Sequence, residues 1–93
     1  MLAVRETLGD ALKKARSDRT QVDVADELEV SQATYARWER DDQEPDEPNL
    51  IKVMAFLGIS VAELSELIAE TRLQDLKEEM RRLERRLAGR SAE

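Results

Sequence analysis

The side chains of this sequence that can do chemistry are chiefly cationic. Lys13, Lys14, Arg16 and Arg19 lie close together, and Arg37 and Arg40 follow further on. A local positive face of this kind draws phosphate groups even when the rest of a molecule is acidic. The rest here is acidic: net charge is −6, and residues 1–60 hold 8 basic against 13 acidic residues. Most catalytic chemistry is missing. The chain has no Cys and no His. That leaves no disulfide framework, no thiolate nucleophile, no Cys zinc site, and neither the commonest acid–base residue nor the commonest metal ligand. Paired carboxylates remain, but the sequence implies no pocket for them. No enzyme activity, cofactor or metal is expected. The acidic run at 41–47 lacks the regular spacing of a calcium loop and is expected to be a solvated loop.

Helices must position the cations. Ninety-three residues make one small domain with or without an attached segment, and charged residues at 39% with three Gly and two Pro fit an all-helical protein. Leu8, Leu12 and Ala15 recur at helical spacing, with Ala11 beside them, and place a first helix over 4–16. Thr20 is a good N-cap for a second helix with Val24, Ala25 and Leu28 inward, ending near Glu29. Ser31 caps a third over 32–40, with Tyr35 and Trp38 inward. Residues 41–45 read as a loop, and Asp46 caps a fourth helix, with Pro48 in its first turn, faced by Leu50, Val53, Met54 and Leu57 and ended by Gly58. Ser60 and Glu63 form a capping box for a fifth. With no Gly or Pro before Gly89, that helix runs about 28 residues, roughly 42 Å.

The second and third helices are short and joined by a tight turn. That arrangement needs a small residue, Ala25, where they cross, and apolar anchors at Val24, Leu28, Val30, Tyr35 and Trp38. It projects one face of the third helix outward, which in the DNA-binding version enters the major groove N-terminus first.

Here the sequence resembles the Cro/phage-repressor-like (Xre-type) helix-turn-helix family. The matching features are Thr20-Gln21, Ala25, Leu28, Val30-Ser31, Trp38-Glu39, Pro45, Leu57-Gly58-Ile59-Ser60 and Leu64, in order and without gaps over about residues 7–68. The resemblance implies a five-helix, lambda-repressor-like DNA-binding domain over 1–68; on the leucine spacing of residues 73–87, the last helix is expected to extend into a coiled-coil-like dimerisation segment over 69–93. It implies that the Gln21 amide bonds a phosphate, that Gln32, Ala33 and Thr34 face base edges, that Arg37 reaches a base or phosphate, and that Arg40 contacts the DNA backbone. It also implies that Glu39 is a buried or semi-buried acid paired with a basic residue of the first helix, taken as Lys14. The chemistry fits: Gln bonds adenine N6/N7, Arg forks onto guanine O6/N7, and Ala33 and the Thr34 methyl touch a thymine methyl.

Three departures from the family pattern set expectations. Glu29 stands where the family has Gly, so either a left-handed residue strained by about 1 kcal/mol or an altered turn is expected. Asp41 replaces a second Gly. The acidic residues at 41–47 stand where many relatives hold phosphates with Lys or Arg, so the loop turns outward or DNA binding is weak and salt-sensitive.

Leu73, Leu76, Met80, Leu83 and Leu87 repeat at spacings of three and four, the a/d seam of a coiled coil. A parallel pair would set Arg72 against the partner's Lys77 and Glu79 against the partner's Glu84, both repulsive. An antiparallel pair with Met80 opposite the partner's Leu83 brings Lys77 near Glu84 and Glu79 near Arg86, both attractive, so an antiparallel homodimer is expected. The other readings of the seam are a helix folded back on its own domain or one that binds a different protein. Arg81, Arg82, Arg85, Arg86 and Arg90 make its tip basic, for phosphate contact or as a solvated face. The leading functional expectation is a sequence-specific transcriptional regulator, a repressor that binds palindromic double-stranded DNA as a homodimer. The alternative is an antitoxin or protein-interaction module whose long helix binds a partner protein. No run approaches the ~20 apolar residues of a membrane span, and residues 1–8 lack the apolar stretch of a secretory leader, so a cytoplasmic location is expected.

Overall fold

Thr7 starts the first helix by exchanging hydrogen bonds across one turn: its hydroxyl accepts from the Asp10 amide at 3.1 Å and its own amide donates to the Asp10 carboxylate at 3.2 Å. The computed structural model describes residues 6–91. It contains α1 (Leu8–Arg16), α2 (Gln21–Leu28), α3 (Gln32–Glu39), α4 (Glu47–Leu57) and α5 (Val61–Ser91). The expected start of α1 at residue 4 lies outside the described residues. Glu6 and Thr7 are not helical, because Thr7 adopts the extended conformation of a cap.

The apolar stripes close one core. Leu8, Leu12, Val24, Leu28, Tyr35, Trp38, Val53 and Leu64 are buried together. Tyr35 and Trp38 meet edge to face, with ring centroids 6.3 Å apart. Ala15 departs from the expected stripe and is exposed, because the inward line of α1 runs Leu8, Leu12, Arg16.

Three helices end alike, each on a left-handed residue followed by an amide that reaches back five residues. Glu29 (φ 59°) is followed by the Val30 amide on the Ala25 carbonyl at 3.0 Å. Asp41 (φ 59°) is followed by the Asp42 amide on the Arg37 carbonyl at 2.9 Å. Gly58 (φ 67°) is followed by the Ile59 amide on the Met54 carbonyl at 3.2 Å. Of these three turns only the last uses glycine. The turn between α2 and α3 keeps its left-handed geometry despite Glu29, the strained outcome of the two expected.

Asp41 is more than a turn residue. Its carboxylate accepts from the Thr7 hydroxyl at 2.7 Å and the Gly9 amide at 2.8 Å, so the end of α3 caps the start of α1. The approach is close enough that a Cβ on Gly9 would lie 2.8 Å from Asp41 Oδ1 and run into the Glu39 carbonyl oxygen.

α5 has 31 residues, about 46 Å of helix. Leu64, Leu67 and Ile68 pack on the core, and the Thr71 hydroxyl accepts from the Leu8 amide at 3.0 Å. At about 100° per residue the seam lies on the opposite side of the helix from these contacts. Leu73, Leu76, Met80, Leu83 and Leu87 are 45–59% exposed, so the helix carries the seam away from its own domain rather than folding it back.

Two substitutions test these strained and crowded points. Glu29→Gly removes the left-handed penalty and raises stability by about 1 kcal/mol, since its exposed 3.9 Å contact with Lys52 contributes little. Gly9→Ala lowers stability by about 2 kcal/mol through overpacking. Both are read by urea unfolding followed through the fluorescence of Trp38, the only tryptophan.

Candidate nucleic-acid interface

The outward face of α3 is held by a line of hydrogen bonds that begins in the core. Arg16, one turn beyond Leu12, grips the Glu39 carboxylate with two donors, Nε to Oε2 at 2.6 Å and Nη2 to Oε1 at 3.1 Å. The third guanidinium nitrogen donates to the Arg19 carbonyl at 2.8 Å. Glu39 then accepts from the Gln21 side-chain amide at 3.0 Å, and Gln21 accepts from the Gln32 amide at 3.3 Å. A carboxylate only accepts, so it fixes the orientation of Gln21, which in turn fixes Gln32. Gln32 is exposed and keeps its carbonyl and one N–H, the acceptor–donor pair that matches adenine N6/N7.

Glu39 is only 2% exposed. Burial pushes its carboxyl up, but the hydrogen bonds from Arg16, Tyr35 and Gln21 outweigh this and hold it below the usual carboxylate range. The same pair raises the Arg16 guanidinium, with the Glu39 hydrogen bond as the largest cause. Tyr35 is raised by burial first and by Glu39 second, and its hydroxyl makes a long 3.5 Å contact to the Leu12 carbonyl.

The partner of Glu39 is therefore Arg16 and not Lys14. Residues 8, 12 and 16 share the inward stripe of α1, whereas position 14 points outward, and Lys14 is exposed.

Gln32, Ala33, Arg37 and Arg40 are exposed and Thr34 is half-buried, all on α3 or its C-cap. Ser31 caps that helix and holds Thr34, accepting from its amide at 3.1 Å and donating to its hydroxyl at 2.9 Å. The Gln21 side chain is occupied by Glu39 and Gln32; its backbone N–H, at the first position of α2, is the group with no intrahelical acceptor.

The expected basic face is thinner than the sequence implied. Arg16 is engaged by Glu39, Arg19 pairs with Glu27 at 3.1 Å, and Arg40 pairs with Asp42 at 2.9 Å. Lys13, Lys14 and Arg37 have no ion pair among the described residues. The acidic loop is partly engaged too: Asp41 caps α1, and Glu44 takes a two-point grip from Arg72 of α5 at 3.1 and 3.0 Å. Sequence reasoning missed both the cap at Thr7 and the role of Asp41. The cap at Thr7 had a signal, Thr-x-x-Asp before the apolar stripe. The role of Asp41 had none, because its partners lie more than thirty residues away.

A family model described as helix-turn-helix matches residues 11–64, and the chain belongs to this Xre/Cro-like family. It is a DNA-binding regulator of the Xre type. Comparison with curated proteins and with solved structures gave no match. The distal part of α5, including the whole seam, lies beyond the matched residues. Among the described residues no helix is long and apolar enough to cross a membrane.

Because the folded pKa of Glu39 is depressed, the stability it contributes is present above the ordinary value of 4.5 and is lost as pH falls through the lower folded value. Melting temperature measured from pH 6 to pH 3 falls for the native chain, and Glu39→Gln starts lower and falls less. Glu39→Ala at pH 7 costs about 3 kcal/mol by leaving Arg16 without its carboxylate.

Proposed function

We propose that the chain is a transcriptional repressor that binds a palindromic operator as a homodimer, with residues 1–68 reading DNA, residues 69–93 joining the two copies, and a cytoplasmic site of action. The observation that carries this reading is the Arg16–Glu39–Gln21–Gln32 line, which orients a base-reading amide on the exposed start of α3. Gln32 contacts an adenine. Ala33 and Thr34 meet a thymine methyl, and Arg37 reaches a guanine or a phosphate. The Gln21 backbone amide holds a phosphate, and Arg40 exchanges Asp42 for one. Binding is weak and falls further with salt, since it rests on a few cations and Asp42 and Asp46 lie exposed nearby.

A second reading, an antitoxin or interaction module, draws on the exposed seam outside the family match. Selection from random duplex DNA at low salt separates the two. A repressor enriches a palindrome with half-sites a multiple of about one helical turn apart. Gln32→Ala and Arg37→Ala each blur one position in both half-sites and cost about 1–3 kcal/mol there. Failure to enrich any motif at any salt overturns operator recognition and favours a protein partner for α5.

A further inference from the structure

Charge is segregated along α5. Residues 61–79 hold six acidic and two basic residues, whereas residues 80–91 hold five basic and one acidic. Two such helices running in opposite directions lay basic end on acidic end twice.

The seam also has a continuation toward the domain. Extended from Leu73 in the same pattern, it runs through Ala69, Glu66 and Ala62, all exposed and on the face turned away from Leu64 and Ile68. Beside them opens a groove of about 630 Å³ between α1, the end of α4 and α5. Ala15, Leu57 and Leu67 give it an apolar lining, Glu63, Glu66 and Glu70 of α5 line it with carboxylates, and Lys14 lines it from α1.

We propose that this face and the edge of this groove receive the arginine-rich end of α5 from a second copy of the chain. The inference rests on the homodimer reading and sets its register. Leu87, Leu83 and Met80 of the partner lie opposite Ala62, Glu66 and Ala69, and the partner's Leu76 lies opposite Leu73. Ala62 and Ala69 meet large residues from the partner's tip, while Glu66 lies at the edge of the seam beside the partner's Leu83. Glu70 faces the partner's Lys77, and Arg72, which shares its charge with Glu44, faces the partner's Glu79, both attractive. The partner's Arg81, on the same side of its helix as Lys77 and Glu84, reaches Glu66 and Glu70. One like-charge meeting remains, Glu63 with the partner's Glu84, beside the partner's Arg81. The alternative with Met80 opposite the partner's Leu83 leaves the acidic half of α5 and the groove uncovered, and packs about half as many layers.

The chain has no Cys, so Val61→Cys, at a residue 66% exposed and off the seam, takes a single spin label. Pulsed dipolar measurement then gives a separation of about 40 Å in the proposed register, about 60 Å in the shorter one, and below about 20 Å in a parallel pair. Either of the last two values overturns the register while leaving the homodimer. Absence of any dipolar coupling at a concentration where sedimentation shows a monomer overturns the homodimer itself. A charge swap gives a second reading. E66K/E70K and K77E/R81E each weaken self-association at least about tenfold, and their equimolar mixture restores it, because only the mixed pair matches charge at both ends. Unchanged self-association of E66K/E70K overturns the proposal.

Discussion

Glu39 can be buried only because Arg16 meets it with two aligned donors. A carboxylate taken out of water without such a partner would protonate or unfold its surroundings. The pair joins α1 to the end of α3, and the acceptor capacity left on the carboxylate recruits Gln21 from α2. Three helices thus meet at one carboxylate. Around it, Leu12, Tyr35 and Trp38 close the core, so the ionic contact and the apolar packing fix the same arrangement. The outward amide of Gln32 inherits its orientation from this buried charge, which is how the interior specifies what the surface presents.

A second constraint is the use of acidic residues where the backbone must turn left-handed. Asp41 tolerates that conformation and offsets its cost, since its side chain accepts from the Gly9 amide of α1 and the Thr7 hydroxyl. Glu29 has no comparable hydrogen bond within its turn among the described residues. The acidic loop that looked hostile to DNA is therefore two different things: Asp41 and Glu44 are turned to the domain, on α1 and on Arg72, while Asp42 stays outside against Arg40. Arg40 is the candidate contact most affected, because it reaches a phosphate only by giving up that partner.

What the sequence made legible was local. Caps at Thr20, Ser31, Asp46 and Ser60, the apolar stripes, and the turn at Glu29 all depend on residues within one or two turns of each other, and they place the five helices and the exposed start of α3. The partner of Glu39 was half legible. The acid itself stands out, but what separates Arg16 from Lys14 is that position 16 continues the line of Leu8 and Leu12. The grip of Asp41 on Gly9, the Leu8–Thr71 bond and the Glu44–Arg72 pair join residues 28 to 63 apart, and no periodicity announces contacts at such separations. The thinning of the basic face has the same origin, because which cations are already paired depends on how helices pack.

The unbroken passage of α5 from the core to the seam turns chain length into an angle. Between Thr71, fastened to α1, and Leu73, the first seam residue, there is no hinge to absorb an inserted residue. One insertion there would swing the whole distal face by about 100° and advance it by about 1.5 Å, and only additions close to whole turns would restore its heading. Related chains can therefore vary the residues of this helix freely on its solvent side, but they can change its length only in steps, as a screw thread admits only whole turns.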